Sequence, residues 1–277
     1  MPTPPFDSTL LGHESVRKTL GRLVERNLVP AAVLFLGPPG VGKRTLAEAL
    51  ATALLETSVR ISVHPDVLRI SLGEDTALRK ALGALLQRVA ERPLASSRRV
   101  VLLEDVDRFS PSSASLLLKS IEDAPYFVAF LLTATHRDRV APTIRSRALL
   151  QELHPLSQRT LSAALLSLGV SPSEADECAL LSGGRPGLAL KLSEDSGLLR
   201  TYKAWLTVFR ARGASWREKS AFAAEFDDEE SATRFIEFLQ GHLRTSPWPL
   251  LLLRRAREAT AMLRQHVPAP LVVEYVL

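Results

Sequence analysis

The chain has 277 residues, a formal net charge of +5 and a single cysteine. That length supports two or three domains, lone Cys178 excludes a disulfide framework and a cysteine-based metal site, and no apolar run reaches the length of a membrane span. The positive charge is spread along the chain and not gathered in a tail, which argues against a dedicated DNA-binding arm.

Met1-Pro2-Thr3-Pro4-Pro5 lacks a basic region followed by an apolar stretch, so no signal peptide is expected, and a cytoplasmic location fits the cysteine usage. Ala31 to Leu36 is a short apolar run suited to a buried parallel strand. It leads into Gly37-Pro38-Pro39-Gly40-Val41-Gly42-Lys43-Arg44-Thr45, a phosphate-binding loop with one unexpected residue. Gly37, Gly40 and Gly42 let backbone N–H groups turn toward phosphate oxygens, and Lys43 is placed to reach the β- and γ-phosphates. The next position calls for a Ser or Thr hydroxyl for Mg²⁺, and Arg44 stands there; Thr45 comes one residue too late and points about 100° away on the helix that follows. The expected ligand is ATP or another nucleotide, with Mg²⁺ binding weak or absent.

Thr45 to Leu55 reads as a helix, Val67 to Ile70 as a strand, and Thr76 to Glu91 as a helix with one apolar face. Val100 to Leu103 is a buried strand that ends in Glu104-Asp105. An active ATPase of this kind carries Asp then Glu at that point, the first supporting Mg²⁺ and the second orienting water. With the order reversed, Glu104 crowds the metal and Asp105 is too short to act as base. Arg98 and Arg99, just before this strand, read as a solvated face. Ser112 to Asp123 is a helix, Phe127 to Ala134 a fourth strand and Ala148 to Leu153 a fifth, giving an α/β fold with a doubly wound parallel sheet. Thr133, at the end of the fourth strand, can sense a phosphate or a water. Arg147 belongs to the far side of such a sheet and could enter a neighbouring subunit's site, where an arginine finger contributes roughly 10³–10⁵ in rate.

After Pro155 the strand signals vanish. Ser171-Pro172-Ser173-Glu174 reads as a capping box, and Gly183-Gly184 as the end of that helix. Residues 155–194 are expected to form a small helical lid and residues 198–277 a helical bundle, with Leu192 to Gly197 as the linker.

In order and spacing these segments resemble the AAA+ clamp-loader subunits of bacterial DNA polymerase III, in particular the delta-prime kind. The resemblance is carried by Gly12-His13-Glu14, the phosphate loop, His64-Pro65-Asp66, Leu117 to Pro125 and Ser146-Arg147-Ala148, and it covers nearly all of residues 11–190. Many relatives carry a four-cysteine zinc module before the His-Pro-Asp stretch; Leu55 to Val63 is too short and has no Cys, so no zinc is expected. Alignment on the lid pattern of hydrolysing relatives puts Gly187 where their arginine stands, with Arg185 two residues early.

The resemblance implies an AAA+ domain over 1–154, a lid over 155–194 and a collar over 198–277 for oligomerisation. It implies a largely non-hydrolysing subunit that supports clamp opening and loading and gives Arg147 to a neighbour's ATP site. The nucleotide position, vestigial or occupied, would comprise Gly37, Gly40, Gly42, Lys43, Arg44, Thr45, Glu104, Asp105 and Thr133, with no resident metal. Implied partners are gamma/tau-like and delta-like subunits through the collar and AAA+ domains, primed DNA within the complex, and the sliding clamp by a weak contact; no membrane is involved. The alternative is an active AAA+ motor subunit, kept open by Lys43. A stand-alone DNA-binding module lacks a basic tail to support it.

Overall fold

The computed structural model describes residues 11–70, 82–84, 87–210, 216–245 and 250–277. The chain divides into two compact units, Met1–His154 and Pro155–Leu277.

The first unit is built on the expected parallel sheet. Strands β1 (Ala32–Leu36), β2 (Val67–Ile70), β3 (Arg99–Leu103), β4 (Val128–Ala134) and β5 (Leu149–Glu152) pair in parallel in the order β2-β3-β4-β1-β5. Because side chains alternate along a strand, each apolar run feeds two cores. Leu34, Val101, Phe130 and Leu132 point to one face, where Leu117 and Ile121 of helix α3 (Pro111–Glu122) meet them. Val33, Phe35, Val100 and Leu131 point to the other, against Leu46 and Leu50 of α2 (Lys43–Leu55) and Leu20 of α1 (Glu14–Glu25). Burial of a side chain such as Phe130 contributes about 1.5–3 kcal/mol. The expected helix from Thr76 to Glu91 lies partly outside the described residues; within it, residues 82–84 and 87–89 are helical, with Leu82 and Val89 buried.

The register fixes where the ends of the sheet fall. Leu36 pairs with Ala134 and with Glu152, so the last residues of β4 and β5 flank the turn that follows β1. Val33 pairs with Leu149, so the start of β5 lies at the opposite end of the sheet. A short helix α4 (Pro142–Arg145) carries the chain back to that end.

His64-Pro65-Asp66 is a structural anchor. The Asp66 carboxylate is fully buried and accepts backbone N–H bonds from Leu94 (2.6 Å), Ala95 (2.7 Å) and Ser96 (2.9 Å). Burial pushes its pKa up, but those bonds together with Arg99 outweigh burial and hold the carboxyl below the usual range. The expected solvated face at Arg98-Arg99 fails for Arg99, while Arg98 stays partly exposed. Arg99 is buried, 3.8 Å from Asp66, and donates to the carbonyl oxygens of Arg88 and Arg92. Arg98 donates to Asn27 Oδ1. Arg99 is the first residue of β3 and is held by the Arg88 and Arg92 carbonyls and by Asp66, whereas Arg98 lies just before the strand.

The second unit is helical: α5 (Gln158–Ser167), α6 (Pro172–Leu181), α7 (Pro186–Glu194), α8 (Ser196–Arg210), α9 (Trp216–Ala223), α10 (Glu229–Thr245), α11 (Leu250–Arg264) and α12 (Ala269–Val276). Ser171 precedes α6 with Pro172 at its first turn, but its side chain makes no capping hydrogen bond, so the capping box is not formed. The expected linker from Leu192 to Gly197 shrinks to Asp195 alone, whose carboxylate accepts from the N–H groups of Gly197 and Leu198 at the start of α8. An aromatic cluster ties α8, α9 and α10 together, with ring centroids 5.3 Å apart for Trp205 and Phe235 and 5.5 Å for Phe222 and Phe235. Gly183, at φ +58°, lets the chain leaving α6 approach α10, because a Cβ there would lie 3.1 Å from the Gly241 carbonyl carbon.

Candidate functional site

The turn after β1 takes its shape from its glycines. A Cβ on Gly37 would lie 2.5 Å from the Leu153 carbonyl oxygen, so no larger residue fits beside the end of β5. Gly42 sits at φ +103° and is the cap residue of α2, a conformation that side-chain-bearing residues avoid. Gly40 is also left-handed, at φ +76°. Backbone N–H groups and the positive end of α2 therefore gather at the C-terminal edge of the sheet, an arrangement suited to an anion.

Lys43 is buried at the first position of α2. Its ammonium donates to Gly37 O (2.6 Å), Pro38 O (3.0 Å) and Thr135 Oγ1 (3.3 Å), spanning the loop and the chain just after β4. His13, which precedes α1, supports the loop from outside, its Nε2 lying 2.9 Å from Val41 O. Burial lowers the pKa of His13, the Val41 bond raises it and nearby His154 lowers it further, for a net decrease. A neutral ring donating Nε2–H to the carbonyl fits both facts.

Arg44 turns across the mouth of the site. Its Nε lies 3.0 Å from Glu48 Oε1 and 3.5 Å from Glu104 Oε1. The Glu48 bond raises the guanidinium pKa most; burial offsets part of this, and Glu104 adds to the rise. Arg69 of β2 donates to the same Glu48 oxygen. These four side chains and Thr133 line one small pocket beside Leu102 and Leu131. Thr133 is buried, and its Oγ1 accepts the Asp105 N–H at 3.1 Å, which fixes Asp105 in a left-handed conformation at φ 50°. Thr45 is exposed on the first turn of α2.

Gly37, Gly40, Gly42, Lys43, Arg44, Thr45, Glu104, Asp105 and Thr133 thus fall at one edge of the sheet. The donor set suits phosphate and does not suit Mg²⁺: a guanidinium occupies the hydroxyl position, and the strand-end carboxylate Glu104 already faces that cation. Sequence reasoning missed His13, Glu48 and Arg69 as parts of this site. Glu48 was visible in principle as the i+4 partner of Arg44 on a helix, whereas Arg69 enters only through the β2–β3 pairing.

Arg147 is elsewhere. It precedes β5, at the sheet end opposite the phosphate loop, half exposed, with Nε 2.7 Å from Glu122 Oε1 at the end of α3. Arg185 is buried within the helical unit, where its Nε donates to Ser182 O at 2.8 Å. Among the described residues no helix is long and apolar enough to cross a membrane.

Over 181 residues the chain is 32% identical to the DNA polymerase III subunit delta' of Pseudomonas aeruginosa, covering 58% of this chain and 55% of that protein. It is 26% identical over 152 residues to subunit gamma/tau of Mycoplasma genitalium, covering 50% of this chain and 25% of the relative. The chain thus spans between a quarter and just over half of the length of these two relatives. In fold it is similar to the Thermotoga maritima RuvB Holliday junction branch migration motor (TM-score 0.55, 22% identity, 95% of this chain and 88% of that one). It is similar too to a gamma subunit-related protein from the same organism (TM-score 0.56, 18% identity, 94% and 96%). The family model described as "DNA polymerase III, delta subunit" matches residues 12–157, more than half of the sequence, and the chain belongs to that family.

Proposed function

We propose that this chain is a delta-prime-like clamp-loader subunit that hydrolyses little or no ATP itself and lends Arg147 to the ATP site of a neighbouring subunit. The position of Arg147 carries this reading. It stands at the end of the sheet away from its own phosphate loop, solvent-accessible, and oriented by Glu122. A guanidinium so placed can stabilise charge on a transferring phosphoryl group only across a subunit boundary. The reversed acids, the Arg44–Glu104 pair and the buried Arg185 all argue against turnover at the chain's own loop. In this reading residues 155–194 serve as lid and 198–277 as collar. The neighbours are gamma/tau-like and delta-like subunits, primed DNA is held by the assembled complex, and the clamp is touched weakly.

The lone cysteine makes a direct test practical. Cys178 is buried, and burial pushes its thiol up to about 11, so it reacts poorly with thiol reagents. In an Arg147→Cys chain the new thiol is then the reactive one. A short thiol-to-amine cross-linker added to the reconstituted loader should yield an adduct with a neighbouring subunit. Assembly without any intersubunit adduct would contradict the proposal.

A motor-subunit reading draws on the intact Lys43 and the gamma/tau similarity. Lys43-dependent Mg-ATP turnover by the isolated chain would favour it.

A further inference from the structure

Arg44 also bears on the form of ligand that the loop accepts, an inference that rests on the nucleotide-binding reading above. A divalent cation at a phosphate loop needs oxygen ligands and carboxylates whose charge is not already compensated. Position 44 supplies a cation in place of a hydroxyl, 3.5 Å from Glu104 and 3.0 Å from Glu48. Arg69 donates to the same Glu48 oxygen. Two guanidinium groups and two carboxylates therefore close on one another in the pocket beside Thr133, and this cluster has no net negative charge left for a metal.

We propose that the loop binds the nucleotide polyphosphate as the metal-free anion, with Arg44 standing where the divalent cation would, and that Mg²⁺ competes with binding instead of supporting it. Free triphosphate is more negative than its Mg²⁺ complex, and here it meets Lys43, the N-terminus of α2 and Arg44. The complexed ion would bring its own positive charge against Arg44, with no hydroxyl at that position to complete its coordination. Arg44 need not abandon its acids: a guanidinium has five N–H donors in a planar fork, and the edge turned from Glu48 and Glu104 can meet a phosphate oxygen.

The test titrates the full chain with ATP by calorimetry, once in EDTA and once with excess Mg²⁺. Binding in EDTA should be tighter, on the order of tenfold. Arg44→Thr restores the hydroxyl and frees Glu104, and should reverse the order. Glu104→Gln, which removes one of the two carboxylates that Arg44 faces and leaves the guanidinium in place, should keep the preference for EDTA. Wild-type binding that is equal or tighter with Mg²⁺ overturns the inference and leaves the nucleotide reading in place. No binding in either condition, for all three chains, overturns both.

Discussion

Arg147 and Glu122 form an ion pair across the start of β5 and the end of α3, with Nε 2.7 Å from Oε1 and both side chains about half exposed (45% and 41%). A pair so exposed contributes at most about 1 kcal/mol to folding. Under the proposed function its use is orientation: it holds the guanidinium beside the end of α3, at the sheet end away from the phosphate loop. Glu122→Gln should therefore leave the unfolding free energy within roughly 0.5 kcal/mol of the parent. The same change should lower DNA-stimulated ATP hydrolysis by the assembled loader, by less than removal of Arg147 does. Denaturant titration and loader ATPase assays check the two halves.

Asp66 is the opposite kind of carboxylate, fully buried and bonded to three backbone N–H groups with Arg99 close by. Asp66→Asn would present an amide N–H₂ to donors and leave Arg99 without its buried counter-charge, at a cost of about 3 kcal/mol. Because the folded-state pKa lies below the unfolded one, this stability is fully present above about pH 4 and is lost as pH falls further through the folded value. Urea titrations of the full chain at several pH values should show a shallower acid limb in the variant.

His13 titrates in a different window. Its folded pKa is lowered, chiefly by burial, so the unfolded chain takes up the proton more readily. Stability should fall as pH drops below the unfolded value near 6.5. His13→Phe removes this dependence and the bond to Val41 O, at about 1 kcal/mol near neutral pH. Thermal melts between acid and neutral pH measure both effects.

Two glycines of the phosphate loop should respond differently to alanine. At Gly37 a Cβ would meet the Leu153 carbonyl oxygen at 2.5 Å, a backbone atom that cannot swing aside. At Gly42 a Cβ meets nothing within 4 Å, and the cost is the left-handed conformation alone, about 1–2 kcal/mol. Gly37→Ala should therefore lower the melting temperature more than Gly42→Ala does. The reverse order would contradict the packing described for the end of β5.

The parallel sheet and the phosphate loop were legible because both are local: apolar runs mark buried strands, and Gly-Lys spacing marks the turn. What the sequence hid was pairing across elements. Arg99 reads as one of two surface arginines until β2 brings Asp66 beside it. Thr133 looks like a group waiting for ligand, yet its oxygen also accepts the Asp105 N–H. The residues from Leu192 to Gly197 look like a linker by composition, but α7 and α8 abut at Asp195, whose carboxylate caps α8. Arg44 and the reversed acids were each visible alone; that they face each other follows only from the placement of α2 beside β3.

The central claim is that this chain serves a neighbour's ATP site more than its own. The most direct measurement is DNA-stimulated ATP hydrolysis by the reconstituted loader with the parent chain or with Arg147→Ala, alongside gel filtration to confirm assembly. The account predicts an intact complex whose turnover at the neighbouring site falls by on the order of 10³-fold. An intact complex with unchanged hydrolysis would contradict it.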